Sequence, residues 1–576
     1  MELARKFRIP ALFCASAVLV SELISRPYAN MGVCDDGPYI LMAHTLATTG
    51  HIAYNGWATA MLGWQLYIGA AFIRLFGFSF TAVRMSTLLV SLALVFFLQR
   101  TFVRAGITER NATLATLALV LSPLYLMLSV TYMTDIFGLF AIVLCLYGCL
   151  RALHSATPNS TILWLCFAVA ANALFGTARQ IAWLGVLVMV PSTLWLLRAQ
   201  RRILIAGSAA TLAGALFIFA CMQWLKHQPY SVPEHIFREA FPIADTFWIL
   251  THLFLEVPFI LLPILGLFLF RIRKSGPRGL LIISALIFGY LFLSFYPSHL
   301  RGEFVLEPTI NDWMSSRGAF LFIQLHGMPP VFLPEWLQLL LTIASLGSLL
   351  GLIAALLRPR PAAIAEPASV QISWNQLGGL VVPFALAYIL ILVPRATTAI
   401  LSDRYLLGLL VVAMLCLTRY YQDSIQSQLP LATVLLVGVM ALYGVTFTHN
   451  AFAFYRARVA LADELRAAGV PDTSVDNGWE YNLNVELQYA THINDPHILV
   501  PAHSHVLPSP PGPIGICPMP DFWREYTPHI RPVYSVSFDP DACYGLAPFA
   551  PIHYSRWLAS SPGALYVVRN TPHSQP

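Results

Sequence analysis

Three acidic residues and two Arg-containing dipeptides carry most of the chemistry this sequence can offer. Asp35 and Asp36 are adjacent in "MGVCDDGPYILMAHTLATTGHIAYNG" (residues 31–56), shortly past the end of an apolar run. Two carboxylates that close repel each other, so the pair favours a bound cation, a raised pKa on one member, or a nearby hydrogen-bond donor. One carboxylate with a suitable partner can act as general base toward a sugar hydroxyl. The plainer alternative is a pair of solvated loop acids. Asp135, in "SVTYMTDIFGLFAIVLCLY", opens another apolar run. Its alternative role is helix capping, in which Thr134 or Asp135 would satisfy free backbone N–H groups.

Arg179-Gln180 ("LFGTARQIAWLG") and Arg404-Tyr405 ("AILSDRYLLGLL") also stand at the ends of apolar runs. A lipid-linked phosphate would give these arginines a reason to be there, because guanidinium forms charge-assisted hydrogen bonds to phosphate oxygens. Against this stand a snorkelling anchor for Arg179 and neutralisation of Arg404 by Asp403. His299, Arg301, Glu303 and Glu307 read as a solvated loop. His492, His497, His503, His505 and His529 lack metal-ligand spacing and read as surface residues.

The elements that position these groups are membrane spans. The 576 residues are 57% hydrophobic and only 11% charged, where soluble domains are roughly a quarter charged. The bilayer must therefore supply most of the burial. A formal net charge of +6, with the basic residues gathered at loop ends, gives no reason to expect a nucleic-acid partner. Of nine cysteines, Cys14, Cys145, Cys149, Cys166, Cys221 and Cys416 lie in apolar runs and read as small hydrophobes. Cys34, Cys517 and Cys543 lie in polar segments, and the last two form a disulfide candidate if their region faces an oxidising compartment.

A span takes about 20 mostly apolar residues. Thirteen runs qualify: 8–26, 82–103, 112–131, 134–153, 162–178, 181–198, 203–222, 247–270, 279–296, 336–357, 377–394, 404–420 and 430–448. The basic clusters "ARKFR", "LQRTFVRAGITER", "LLRAQRR", "FRIRKSGPR", "LLRPRP" and "TRYYQDS", together with Arg151, all fall on one side if the N-terminus is cytoplasmic. The long loops 27–81, 223–246 and 297–335 and the tail then share the outer side, and so do Asp35, Asp36, Asp135, Arg179 and Arg404.

Residues 57–78 are apolar, but a span there would invert every later loop. They read instead as a helix lying along the membrane, with residues 39–50 as a first such helix that stops at Gly50. Residues 358–375 read as a Pro/Ala-rich linker. The tail is polar and lacks a span. "DTSVDNGWEYNLNVELQYATHI" mixes β-branched and aromatic residues around an Asn477-Gly478 turn signal, and "ALYVVRN" reads as a closing strand. The expected organisation is a transmembrane domain over 1–448 and a small α/β domain over 449–576. No GxxxxGK[ST] or GxGxxG unit is present, so an enzyme of this layout needs an activated substrate delivered in the membrane.

The first loop resembles that of GT-C glycosyltransferases, in the branch that includes protein O-mannosyltransferases, aminoarabinose–lipid A transferases and RgtA/B/C/D-like bacterial enzymes. The matching positions are Asp35-Asp36, Tyr39, Gly50, Gly77-Phe78-Ser79 and Arg84; "TYMTDIF" with Asp135, "ARQ" at 178–180 and "DRY" at 403–405 also match. Two features depart from the pattern. Asp36 stands where Glu is usual, and "NGWATAMLG" replaces a Pro-Pro segment.

The resemblance implies a GT-C fold of about 13 spans with interfacial helices in the first outer loop and an extracytoplasmic tail. It implies inverting transfer of a sugar from a polyprenyl-phosphate donor to an envelope acceptor (lipid, glycan or protein) at the outer face of the cell membrane. Asp35 would be the base. Asp36 or Asp135 would position donor, acceptor or a divalent metal ion, whose use the resemblance leaves open. Arg179, Arg404 and Tyr405 would hold the leaving phosphate, and Tyr39, Arg84 and Gln180 would support the loop or the acceptor. The alternatives are a transporter or flippase of a lipid-linked glycan, which would favour charged or broken helices at mid-membrane and repeated halves, and an anchored scaffold, for which thirteen spans are excessive.

Overall fold

The computed structural model describes residues 8–232, 243–269, 279, 281–282, 284–290, 308–310, 312–319, 325–357, 372–396, 401–506 and 521–570. His299, Arg301, Glu303, Glu307, Cys517, most of the 358–375 linker and part of the 279–296 run lie outside them. The protein is a polytopic helical membrane protein with a small α/β unit at its C-terminal end. Among the described residues, eight helices are long and apolar enough to cross a membrane, two further pairs do so as bent spans, and Ile9–Ser25 and Gln180–Leu196 are shorter apolar helices. These twelve correspond in order to twelve of the thirteen runs.

Proline and polar side chains shape the irregular spans. The 112–131 run is Glu109–Val120 followed by Pro123–Ser129, bent by 73°. Pro123 has no N–H to continue the first helix, and the Ser122 hydroxyl restarts the second by accepting from the Tyr125 amide at 3.3 Å. The bend turns the 129–135 segment toward the first loop. The 181–198 run is a sequence of short turns ending in Val190–Leu196. Asn172 sits in its broken ladder, accepting from the Val186 amide at 3.0 Å and donating to the Ala182 carbonyl at 2.9 Å.

The two loop helices are Asp36–Thr49, which stops at Gly50 with φ +78°, and Gly63–Phe76. Ser79 caps the next helix, Phe80–Arg104, by accepting from the Ala82 amide.

Loops far apart in sequence meet at the two ends of the helical bundle. At one, the Thr108 amide donates to Gln422 at 2.9 Å and Arg419 donates to the Ala105 carbonyl at 2.7 Å. Two basic loops thus meet. At the other end the long loops meet the tail: Cys34 N donates to Glu480, Ile493 N to the Asn55 carbonyl, and Arg556 to the Pro330 carbonyl.

The last long helix, Leu431–Ala467, continues well past 448 and carries the chain into the tail. There, strands Val475–Asp476, Tyr534–Ser537, Gly563–Arg569 and Ile552–Tyr554 lie in that spatial order; the first pair is parallel and the others antiparallel. "ALYVVR" is the expected strand. The β-branched and aromatic stretch after Asn477-Gly478 is instead the helix Trp479–Ala490, which buries Trp479, Leu483 and Leu487. That 3.6-residue periodicity outweighs β-propensity.

Candidate active site

The adjacent acids have opposite environments. Asp36 opens the first loop helix and is fully buried against Arg84. Arg84 Nε and Nη2 bind its two oxygens at 2.7 and 3.0 Å. The Val33 and Tyr132 amides donate to the same oxygens at 2.7 and 3.1 Å. A carboxylate has about four acceptor sites, and all of them are used. Arg84 also donates to the Ala29 and Met31 carbonyls. Asp36 is therefore a fixed strut joining the loop, the Phe80–Arg104 helix and the 129–135 segment. It has no lone pair free for a proton or a metal ion, which differs from the role expected of it. Breaking a fully buried pair by removing one charge costs about 3–5 kcal/mol. Arg84→Gln is expected to lose that much stability, read as a lower midpoint in thermal melts of the purified protein, whatever the assay for activity shows.

Asp35, one residue earlier, remains reachable, with a side chain 16% exposed. Its Oδ2 lies 3.4 Å from Arg404 Nη2, while Arg404 Nη1 lies 3.4 Å from Asp135 Oδ2. Arg404 thus spans the two acids. Asp135 Oδ1 accepts from Arg179, which also donates to the Thr134 hydroxyl at 3.0 Å. Asp135 caps nothing: the cap of Thr134–Leu153 is Met133, with no side-chain cap bond. Arg179 is no snorkelling anchor, since it folds inward onto this acid. Nor does Asp403 neutralise the Arg404 guanidinium. Its Oδ1 takes the Arg404 backbone amide at 2.8 Å and its Oδ2 takes Met314 N at 2.8 Å. Gly138 makes room for Arg179, because a Cβ there would meet the arginine's stem at 2.9 Å.

Three guanidinium groups surround the Tyr405 ring: Arg179, Arg404 and Arg395 at 4.7, 5.3 and 5.4 Å from its centroid. The Trp313 ring lies 5.9 Å from Arg404. Asp312, beside Trp313, adds a third acid whose charge acts on both Asp35 and Arg404. Sequence reasoning missed Arg395, Asp312 and Trp313; Arg395 ends the 377–394 run as Arg179 and Arg404 flank theirs, and that signal could have found it, whereas nothing in "TINDWMSS" marks the other two.

The tail completes the Asp35 wall. The Trp479 indole stands beside the Asp35 carboxylate and favours its ionised form. Glu480 Oε1 accepts from the Cys34 amide at 3.1 Å and from the Tyr455 hydroxyl at 2.7 Å, and its Oε2 pairs with fully buried Arg458 at 2.8 Å. Cys34 itself is held at φ +55°, a left-handed conformation that costs a non-glycine residue on the order of 1 kcal/mol and persists only when its surroundings impose it. Burial raises the Asp35 pKa above its ordinary value, and Asp312 and Glu480 push the same way; Arg404 and the Trp479 indole oppose them. Burial and the Asp35 charge raise the nearby Tyr39 phenol as well, which keeps it an O–H donor.

Gln180 lies away from this cluster and donates to the Thr59 carbonyl at 3.1 Å, tying the Arg179 turn to the first loop. Cys543 is disulfide-bonded; Cys517, its expected partner, lies outside the described residues. Several tail histidines are structural: His529 pairs with buried Glu486 at 2.7 Å, and His492 packs on Tyr230 at 4.5 Å. The two acids expected to hold a metal do not fit one. Asp36 is saturated by Arg84 and amides, and both Asp135 oxygens face arginines, which repel a divalent cation.

No family model and no curated protein matches the chain. Among solved structures it is similar to ArnT from Cupriavidus metallidurans in the apo state, with 17% identity, 79% of each chain covered and a TM-score of 0.40. It is similar also to the same protein bound to undecaprenyl phosphate, with 13% identity, 96% of this chain and 97% of that one, and a TM-score of 0.41. A third is the archaeal oligosaccharyltransferase AglB from Archaeoglobus fulgidus in complex with an inhibitory peptide and a dolichol-phosphate, with 14% identity, 80% of this chain and 59% of that one, and a TM-score of 0.37.

Proposed function

We propose that the protein is an inverting glycosyltransferase that takes a sugar from a polyprenyl-phosphate donor and places it on an envelope acceptor at the outer membrane face. The observation that carries this reading is Arg404 held between Asp35 and Asp135, with Arg179 and Arg395 beside it around Tyr405. A reachable base stands next to a cluster of preplaced cations. The acceptor hydroxyl attacks the anomeric carbon while Asp35 takes its proton. The C–O bond to phosphate breaks, and its electron pair leaves on the phosphate oxygen. Charge grows on that oxygen as the bond breaks, so fixed guanidinium groups act on the transition state as well as on binding. The contacts of Arg404 to the two acids, at 3.4 Å, are loose enough to be exchanged for phosphate.

Envelope glycans compared with and without the gene test the reading. One sugar decoration should vanish while its lipid-linked donor accumulates. A donor that fails to reach the outer leaflet instead would assign the chain to flipping.

The pH dependence follows from Asp35. The base must be ionised, and its folded-state pKa lies above the ordinary value. Transfer is therefore expected to rise with pH through a midpoint above that of a solvated aspartate. Trp479→Phe removes an indole N–H that favours the ionised form, so its acid limb should move to still higher pH. An unmoved limb in that variant would remove Trp479 from the account.

A further inference from the structure

A second cavity, of about 570 Å³, lies on the same face between the first loop helix, the segment that follows it, the 228–230 turn and the C-terminal helix Trp479–Ala490. This volume lies within the range of small-ligand sites, about 300–1,000 Å³. We propose that it binds a neutral, hydroxyl-rich group, the glycan portion of the acceptor; the acceptor role rests on the function proposed above.

Among the described residues the lining contains no Asp, Glu, Lys or Arg, and its one imidazole, His44, packs on Phe78 at 4.3 Å, so it offers no permanent charge to a phosphate or another ionic headgroup. It does present amides and hydroxyls from every wall: Thr45, Asn55, Gln228, Gln488 and Thr491. An acyl chain there would strip water from these groups and return no hydrogen bond, which costs on the order of 1–3 kcal/mol for each group left unpaired. Asn55 fixes one wall: it is 7% exposed, and its Nδ2 donates to the Pro38 carbonyl at 3.0 Å. Its Oδ1 has no partner among the described residues and lies beneath the surface, so it meets a ligand only when the amide turns toward the cavity.

Tyr230 adds an aromatic wall. It is held at φ +57°, its amide donates to the Val500 carbonyl at 2.6 Å, and its ring packs on His492 at 4.5 Å. A non-glycine residue in that conformation is strained, and here the strain fixes a flat apolar surface beside several amides. The C–H face of a pyranose fits such a surface while its hydroxyls meet the amides. The Asn55–Pro38 bond ties the cavity to the first turn of the helix that follows Asp35.

The test uses the purified full chain in nanodiscs with neutral trisaccharides of glucose, mannose, galactose and N-acetylglucosamine, read by saturation-transfer NMR. At least one is expected to give signal. Thr45→Trp and Gln488→Trp, which fill the cavity from opposite walls, should each reduce that signal at least tenfold at unchanged thermal midpoint, while Asp35→Asn keeps it. No signal from the wild type, or undiminished signal in both filled variants, overturns the proposal. So does a cavity occupied by stearate in competition with the sugars. If the wild type binds a sugar in this way yet transfers none, the sugar site stands and the transferase reading falls.

Discussion

Asp35→Asn is expected to reduce sugar transfer about 10²–10⁴-fold, the usual contribution of a positioned general base, without loss of the fold. The substitution keeps the shape and one oxygen, but it removes the site that takes the proton. Asp35 holds no buried strut: its ion pair to Arg404 is a single contact at 3.4 Å with partly exposed partners. Exposed or loosely held pairs contribute little to stability. The measurement is transfer from a labelled polyprenyl-phosphate sugar in membranes at matched expression, beside a thermal melt. Unchanged turnover would end the assignment of Asp35 as base. A collapsed midpoint would mean that Asp35 shares the structural role of its neighbour. The contrast with Arg84→Gln makes the experiment sharp, because the two variants are expected to fail in different assays.

Much of this site can be read in the sequence, and the reasons differ by residue. The spans are legible because a 20-residue run with almost no charge is the length and chemistry of a membrane helix. Their sidedness is legible because Lys and Arg gather at one set of ends. Sidedness alone puts Asp35, Asp135, Arg179 and Arg404 on one face. The division of labour between Asp35 and Asp36 is not legible. It depends on Arg84 reaching back from the Phe80–Arg104 helix to saturate one carboxylate and not the other, and adjacency in sequence cannot express that. The roles of Asp312, Trp313 and Arg395 are hidden for a related reason. Asp312 and Trp313 lie in a segment without periodicity, Arg395 closes the helix Trp374–Ala396 as one more span-end arginine, and each gains meaning only from the ring or charge it meets. The tail hides its part most completely. Trp479 and Glu480 read as members of a β-rich stretch. They are the first turn of a helix that faces Asp35 and accepts the Cys34 amide across more than 440 positions of chain.

Arg404→Lys is the second substitution with a large expected effect, about 10²–10³-fold in kcat with a raised KM for the lipid-linked donor. The guanidinium does three things at once: Nη2 faces Asp35, Nη1 faces Asp135, and Nε donates to the Ser402 hydroxyl at 3.2 Å. A lysine ammonium is a single point charge on a flexible stem and cannot hold that fork. Two losses are therefore mixed in the variant. One acts through Asp35, whose pKa Arg404 lowers. Weakening that contact raises the pKa and moves the acid limb of the rate to higher pH. The other acts on the departing phosphate and does not depend on the ionisation of Asp35. A pH profile separates them. Above the shifted limb the Asp35 part of the deficit should disappear, and the phosphate part should remain as a constant fold-loss in kcat. Full recovery at high pH would restrict Arg404 to holding the base and would pass the leaving group to Arg179 and Arg395. A deficit independent of pH from the start would mean that Arg404 serves the phosphate alone, and that Asp35 is kept ionised by Trp479.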